Sequence, residues 1–121
     1  MSISEAESVV MEVLWNESPL SAEDIVATLA KTSDWQEPTI KTLLNRLLKK
    51  NAIAAERDGR RYLYRPLLQR EDYIHAASKG LLDRLFNGRV APLVAHFSDR
   101  HKLSKKDVAE LKRLIEEIDH D

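Results

Sequence analysis

The stretch from Thr39 to Lys49 carries the residue types that proteins use to bind nucleic acid, arranged at helical spacing. Threonine and asparagine side chains can hydrogen-bond to base edges or phosphates, lysine neutralises phosphates, and arginine can also pair with guanine. No acidic residue occurs from Thr39 to Ala55, whereas an ordinary solvent face mixes charges of both signs. The candidate DNA contacts on this helix are Thr39, Lys41, Thr42, Asn45, Arg46 and Lys49.

A second basic cluster follows directly. Two segments with a period of two residues, Ala52–Arg57 and Arg60–Arg65, flank Asp58-Gly59, a pair typical of tight β-hairpins. Like charges crowded on such a ribbon repel each other unless a polyanion is bound. A surface hairpin whose arginine stems cover apolar area is the alternative, and we favour phosphate binding because the preceding helix is basic too. The candidate contacts at the tip are Arg57, Arg60 and Arg61.

The charge of this 121-residue chain is unevenly distributed. The formal net charge is −1, but residues 36–70 hold nine bases and three acids, a local charge of +6. Residues 1–35 carry −6 and residues 71–121 carry −1. Because a polyanion responds to the local field, the basic middle third is compatible with a nucleic-acid partner although the net charge is slightly negative.

Capping residues and apolar periodicity predict the helices that position these two basic clusters. Ser4 and Glu7 form a capping box that begins a first helix running to about Asn16, and Ser21 with Asp24 begins a second. The third helix begins near Pro38 and buries one side, made of Ile40, Leu43, Leu44, Leu47 and Leu48. Three helices followed by a basic-tipped hairpin predict a winged helix-turn-helix, with the third helix as the recognition element.

The remainder of the chain predicts a helical arm. One helix is expected from Glu71 to Phe86, a short segment from Pro92 to Phe97, and a last helix from Ser104 to about Ile118. The fold class is therefore mainly α with a small β-hairpin: a winged-helix DNA-binding domain over residues 1–67 and a helical dimerisation arm over residues 68–121. The last helix spaces its apolar residues 3, 4 and 3 apart, a narrow seam of the kind that pairs with another helix. The candidate dimerisation residues are Leu81, Leu85, Val108, Leu111, Ile115 and Ile118.

Other functional classes find little support. The chain has no cysteine, which excludes disulfides and thiolate metal sites and fits a cytoplasmic location. No phosphate-binding glycine loop, nucleophile elbow or metalloprotease histidine pair occurs, so we expect no catalysis and no cofactor. His96 and His101 lie five residues apart without a ligand set for zinc. No apolar run is long enough for membrane insertion.

Several ordered motifs resemble the BlaI/MecI/CopY family of penicillinase repressors. They include Ser4-Glu5-Ala6-Glu7, the helix Thr39–Leu47, the wing Gly59–Leu67 and, in the arm, Leu82–Gly88 with Leu93–Phe97. The resemblance spans nearly the whole chain. Two departures stand out: Gln36-Glu37-Pro38 replaces the usual Ser-Pro-Lys, and the Cys-rich metal motif of copper-responsive members is missing.

The resemblance implies a homodimeric transcriptional repressor that binds a palindromic double-stranded DNA operator. In antibiotic-resistance members, a membrane sensor-protease system triggers proteolysis of the arm, and the matching cleavage region here is His96 and Phe97. The competing hypothesis is a protein-interaction module whose basic surface binds an acidic protein partner.

Overall fold

A computed structural model describes residues 2–100 and 102–120. The helices are α1 (Glu5–Asn16), α2 (Ala22–Leu29), α3 (Glu37–Lys49), α4 (Arg70–Leu85), α5 (Val90–Asp99) and α6 (Lys105–Asp119). The strands are β1 (Leu20–Ser21), β2 (Ile53–Asp58) and β3 (Arg61–Pro66). The chain divides into two compact units, the first ending at Ala76 and the second beginning at Ala77. The assignment of residues 1–67 and 68–121 to two functional domains stays a prediction.

The helix starts predicted from capping patterns are confirmed. Ser4 Oγ accepts from the backbone N–H of Glu7 at 3.1 Å, and Glu7 Oε1 accepts from the N–H of Ser4 at 2.8 Å. Ser21 and Asp24 make the same reciprocal pair at the start of α2. These bonds satisfy backbone donors that the first turn of a helix leaves free. After α3, Asn51 takes a φ of 60°, the left-handed conformation that ends a helix.

The hairpin forms one residue later than the sequence pattern indicated. Asp58 pairs with Arg61, so the two-residue loop is Gly59-Arg60 instead of Asp58-Gly59. Gly59 takes a φ of 65°, which glycine adopts without strain at the first loop position. A short strand, β1, completes a three-stranded antiparallel sheet by pairing Leu20 with Tyr64.

The core of the first unit packs α1, α2 and α3 against this sheet. Its fully buried side chains include Met11, Leu14, Ile25, Ile40, Leu44, Leu47 and Ile53. The helical spacing of Ala6, Val9, Val10, Val13 and Leu14 predicts that these residues form the buried side of α1. This prediction is wrong for Val9, which is exposed, while Met11 and Glu7 are buried. The helix is rotated because its neighbours, not its own apolar count, decide which side faces the core.

The second unit follows the predicted helical outline with shifted bounds. Helix α4 begins and ends one residue before the expected positions, and α5 begins two residues before Pro92. Gly88, with a φ of 76°, lies in the turn after α4. Across its described residues, α4, α5 and α6 contain no buried side chain. Within residues 2–100 and 102–120, no helix is long and apolar enough to cross a membrane.

Candidate nucleic-acid interface

Helix α3 separates an apolar side from a polar, basic side. Ile40, Leu43, Leu44 and Leu47 are buried in the core, which fixes the helix on the domain. All six side chains predicted as DNA contacts are exposed on the remaining surface: Thr39, Lys41, Thr42, Asn45, Arg46 and Lys49. The geometry therefore leaves hydrogen-bonding groups and cations available along one helix.

The polar groups of α3 are not equally free. Lys41 Nζ lies 3.1 Å from Glu37 Oε1, one turn earlier, and both side chains are more than half exposed. Thr42 Oγ1 donates to the carbonyl of Pro38 at 3.0 Å. By contrast, Arg46 and Lys49 take part in none of the ion pairs found among the described residues. Exposed pairs are worth little and exchange readily with an incoming phosphate.

The hairpin tip presents three exposed arginines in different settings. Arg57 Nε donates to the carbonyl of Gly59 at 3.1 Å, and Arg61 lies 3.4 Å from Asp58 Oδ2 in an exposed pair. Arg60 lies in the loop itself and makes no ion pair in the described part of the chain. The tip is thus basic and solvated, as predicted.

A groove of about 270 Å³ lies between the start of α3 and the hairpin. Both signs of charge line it, from Glu23, Glu37, Lys41, Arg60 and Arg61. The two-residue period of β3 puts Tyr62 on the same side as Tyr64 and predicts that both pack in the core. Tyr62 instead lines this groove and is 51% exposed. Of these two tyrosines, Tyr64 packs against the core.

One cation of the basic stretch, Lys50, is paired with a buried carboxylate. Lys50 Nζ lies 2.6 Å from Oε1 of Glu7, whose side chain is buried, and it also donates to the carbonyl of Ser2 at 2.9 Å. Sequence reasoning did not identify this pair. The one local signal was that Glu7, the third residue of α1, lies beside apolar residues; its partner is 43 positions away in the sequence.

In the second unit, the predicted dimerisation residues are mostly exposed. Ile115 is 56% and Ile118 is 71% exposed, and Leu81, Leu85 and Val108 are also exposed. Leu111 differs because it is half-buried and lines a groove of about 290 Å³ together with Leu93 and Phe97.

The predicted cleavage region lies within α5, where the rings of His96 and Phe97 contact each other edge to face at 5.4 Å. His101 lies outside the described residues. Elsewhere along the described chain, no three histidine or carboxylate side chains are grouped to hold a metal ion.

Comparisons with known proteins agree with this geometry. A family model described as penicillinase repressor matches residues 3–117. The penicillinase repressor of Bacillus licheniformis is 37% identical over 95% of this chain and 90% of its own length. The methicillin resistance regulatory protein MecI of Staphylococcus aureus is 31% identical over 93% of this chain and 92% of its own.

Two solved structures resemble part of the chain. The solution structure of the DNA-binding domain of the repressor BlaI is 41% identical, with a TM-score of 0.56, over 60% of this chain and 89% of that one. The monomeric form of Bacillus licheniformis BlaI, solved in complex with the blaP half-operator, is 40% identical with a TM-score of 0.55 over 61% of this chain and 90% of that one. With the family match running along nearly its whole length, this chain belongs to the penicillinase repressor family.

Proposed function

We propose that this chain is a transcriptional repressor that binds operator DNA as a homodimer and carries out no catalysis of its own. The observation that carries this proposal is the exposed basic side of α3, held next to a basic hairpin tip on a domain similar to an operator-binding one. Membership of the penicillinase repressor family supports the same function.

In this mechanism, α3 enters the major groove of a DNA half-site. Thr39, Asn45 and Arg46 face base edges, and Lys41 and Lys49 neutralise phosphates. Thr42 reaches the DNA once its hydroxyl exchanges the Pro38 carbonyl for a new acceptor. The hairpin tip follows the phosphate backbone with Arg57, Arg60 and Arg61, adding affinity that does not depend on sequence.

Pairing of two copies is supported by the second unit. Its described residues include no fully buried side chain, and many apolar side chains of its helices are exposed, among them Leu81, Leu85, Ile115 and Ile118. A second copy offers the same surface and covers both at once. The interface we propose consists of Leu81, Leu85, Val108, Leu111, Ile115 and Ile118. Joining two DNA-binding units raises the effective concentration at the second half of a palindrome.

Release from DNA would follow cleavage of this second unit near His96 and Phe97, with a membrane sensor-protease system as the partner. Both residues are exposed, but they lie in a helix, and a protease acts on locally opened backbone. Cleavage there would separate α6 from the rest and lower operator occupancy without removing a DNA contact. Mass spectrometry of the chain from induced cells should detect fragments ending near residue 96.

The test of DNA binding is selection of bound duplexes from a random pool, followed by sequencing. The expected result is a palindrome that is retained in excess bulk DNA, while a scrambled duplex is not. The matched control is the Arg46→Ala/Lys49→Ala variant, which should lose enrichment but keep its fold by circular dichroism. If no duplex is enriched and acidic proteins compete as well as DNA, the basic surface serves a protein partner and the repressor proposal fails.

A further inference from the structure

The first turn of α4 is attached to α1 by three contacts that the DNA-binding surface does not use. Trp15 Nε1 donates to the carbonyl of Leu68 at 2.8 Å, and the rings of Trp15 and Tyr73 lie 5.5 Å apart between centroids. Arg70 Nε donates to both carboxylate oxygens of Glu12, at 3.1 and 3.2 Å. We call these five residues the α4 anchor, and all of them lie within the first unit.

The backbone that leads into α4 is fixed from another direction as well. The N–H groups of Leu67 and Leu68 both donate to the carbonyl of Ala52, at 2.8 and 3.0 Å, and Ala52 is fully buried. The segment is therefore held both at the end of α3 and on α1. Trp15 and Leu68 also pack against the edge of the core, whereas the Arg70–Glu12 ion pair is about half exposed and adds nothing to the core.

Because a helix is stiff, the direction of its first turn determines where its later residues lie. Helix α4 runs without interruption from Arg70 to Leu85, a length of about 24 Å. A tilt of about 10° at its start would move its far end by roughly 4 Å. Leu81 and Leu85, at that end, belong to the interface proposed above.

We propose that the α4 anchor holds the first turn of α4 on α1 and that this attachment determines which half-site spacing a homodimer accepts. Glu12, Trp15, Arg70 and Tyr73 are then positioning residues for operator binding that touch no DNA. This inference rests on the proposed repressor function. The anchor should leave the affinity for a single half-site unchanged and should affect only the additional affinity that a dimer has for a full palindrome.

The test uses the palindrome selected by the wild-type protein, its isolated half-site, and duplexes with one to five base pairs inserted at the centre. Two variants, Glu12→Gln and Arg70→Gln, break the same ion pair while changing the net charge in opposite directions. Tyr73→Ala removes the ring contact, and Trp15→Phe keeps a ring but removes the N–H donor. The matched control is Lys79→Gln, which breaks the exposed Lys79–Asp83 pair of 2.9 Å on the same helix, outside the anchor.

We expect the anchor variants to sediment as dimers and to bind the half-site as the wild type does. Their affinity for the full palindrome should fall about tenfold, a loss of effective concentration. Their penalty for a five-base-pair insertion, half a helical turn, should be smaller than the wild type's. Lys79→Gln should match the wild type throughout.

Unchanged spacing profiles in all four variants would overturn the inference. So would a gain for Glu12→Gln beside a loss for Arg70→Gln, because that pattern follows charge alone. If Tyr73→Ala loses half-site binding through damage to the fold, the spacing profiles of Glu12→Gln and Arg70→Gln, which change exposed side chains, decide whether the inference holds. A wild-type protein that selects no duplex, or sediments only as a monomer, contradicts the proposed function itself and removes this inference with it.

Discussion

Lys50 Nζ lies 2.6 Å from Oε1 of Glu7, so the residue that caps the end of α3 is joined to the first turn of α1. The Glu7 side chain is 1% exposed, and its other oxygen, Oε2, has no hydrogen-bond partner among the described residues. Burial by itself raises the pKa of this carboxyl, but hydrogen bonds from Lys50 and Ser4 outweigh it, so that the pKa is lowered. Glu7 therefore remains ionised at neutral pH and pairs with the Lys50 ammonium group.

Removing the cation from this pair should destabilise the fold. Lys50→Met leaves a buried carboxylate without its partner, and we expect the free energy of unfolding to fall by about 2 kcal/mol. Denaturant unfolding measures this change in the free energy of unfolding. The neighbouring Lys49→Met is the matched control, because Lys49 is exposed and should change stability by less than about 0.5 kcal/mol. For DNA binding we expect the reverse: Lys49→Met should reduce the dependence of DNA affinity on salt concentration, and Lys50→Met should leave it unchanged. Equal stability of the two variants would contradict the role of the pair.

The same pair makes stability depend on pH. Because folding lowers the pKa of Glu7, the unfolded chain binds a proton more readily than the folded one. The stabilisation is complete above the ordinary value of 4.5 and is lost as the pH falls through the lowered pKa. The free energies of unfolding of the wild type and Glu7→Gln should therefore converge between neutral and acidic pH. A difference that stays constant over this range would rule out the ionised pair as its source.

Arg46 is the residue of α3 from which we expect base recognition, since it is exposed and makes no ion pair among the described residues. Arg46→Ala should weaken binding to the selected palindrome by about 1–3 kcal/mol and relax the preference at one base pair. Fluorescence anisotropy on single-base variants of the duplex measures both effects. Lys31→Ala, an exposed base outside this surface, is the control. A uniform loss on all sequences would make Arg46 a phosphate contact instead.

Arg60 tests the hairpin separately. Arg60→Ala should reduce affinity for every duplex equally and lower the salt slope by about one unit, as the loss of one phosphate contact requires. Arg61→Ala is the comparison within the tip, because Arg61 already has an acidic neighbour in Asp58. Titrations at several salt concentrations give the slopes. An altered base preference in Arg60→Ala would show that the wing reads sequence.

For the proposed dimer, Ile115 is a sharper probe than Leu111. Leu111 is half-buried in the groove with Leu93 and Phe97, so a charge there would damage its own unit. Ile115 is 56% exposed on the same helix, and Ile115→Asp should convert dimers to monomers in sedimentation. Lys112→Asp, an exposed site on α6, is the control for added negative charge. A persisting Ile115→Asp dimer would place the interface elsewhere.

Most helices and the hairpin of this protein could be predicted from the sequence, since their signals are local. Capping at Ser4 and Ser21, the apolar side of α3 and the glycine in the hairpin each depend on residues a few positions apart. The structure confirms the caps and the apolar side of α3, and it places the hairpin loop one residue later than predicted. The basic candidates of α3 and the hairpin could be named for the same reason, because apolar periodicity already indicates which side of a helix must stay in solvent.

The contacts between elements could not be predicted from the sequence. The folded chain adds β1 through the pairing of Leu20 with Tyr64, buries Met11 instead of Val9, and leaves Tyr62 exposed. It also pairs Lys50 with Glu7. These contacts join residues more than 40 positions apart, where no local spacing records them. The energy of burying a charge or a strand edge depends on what the folded chain brings beside it.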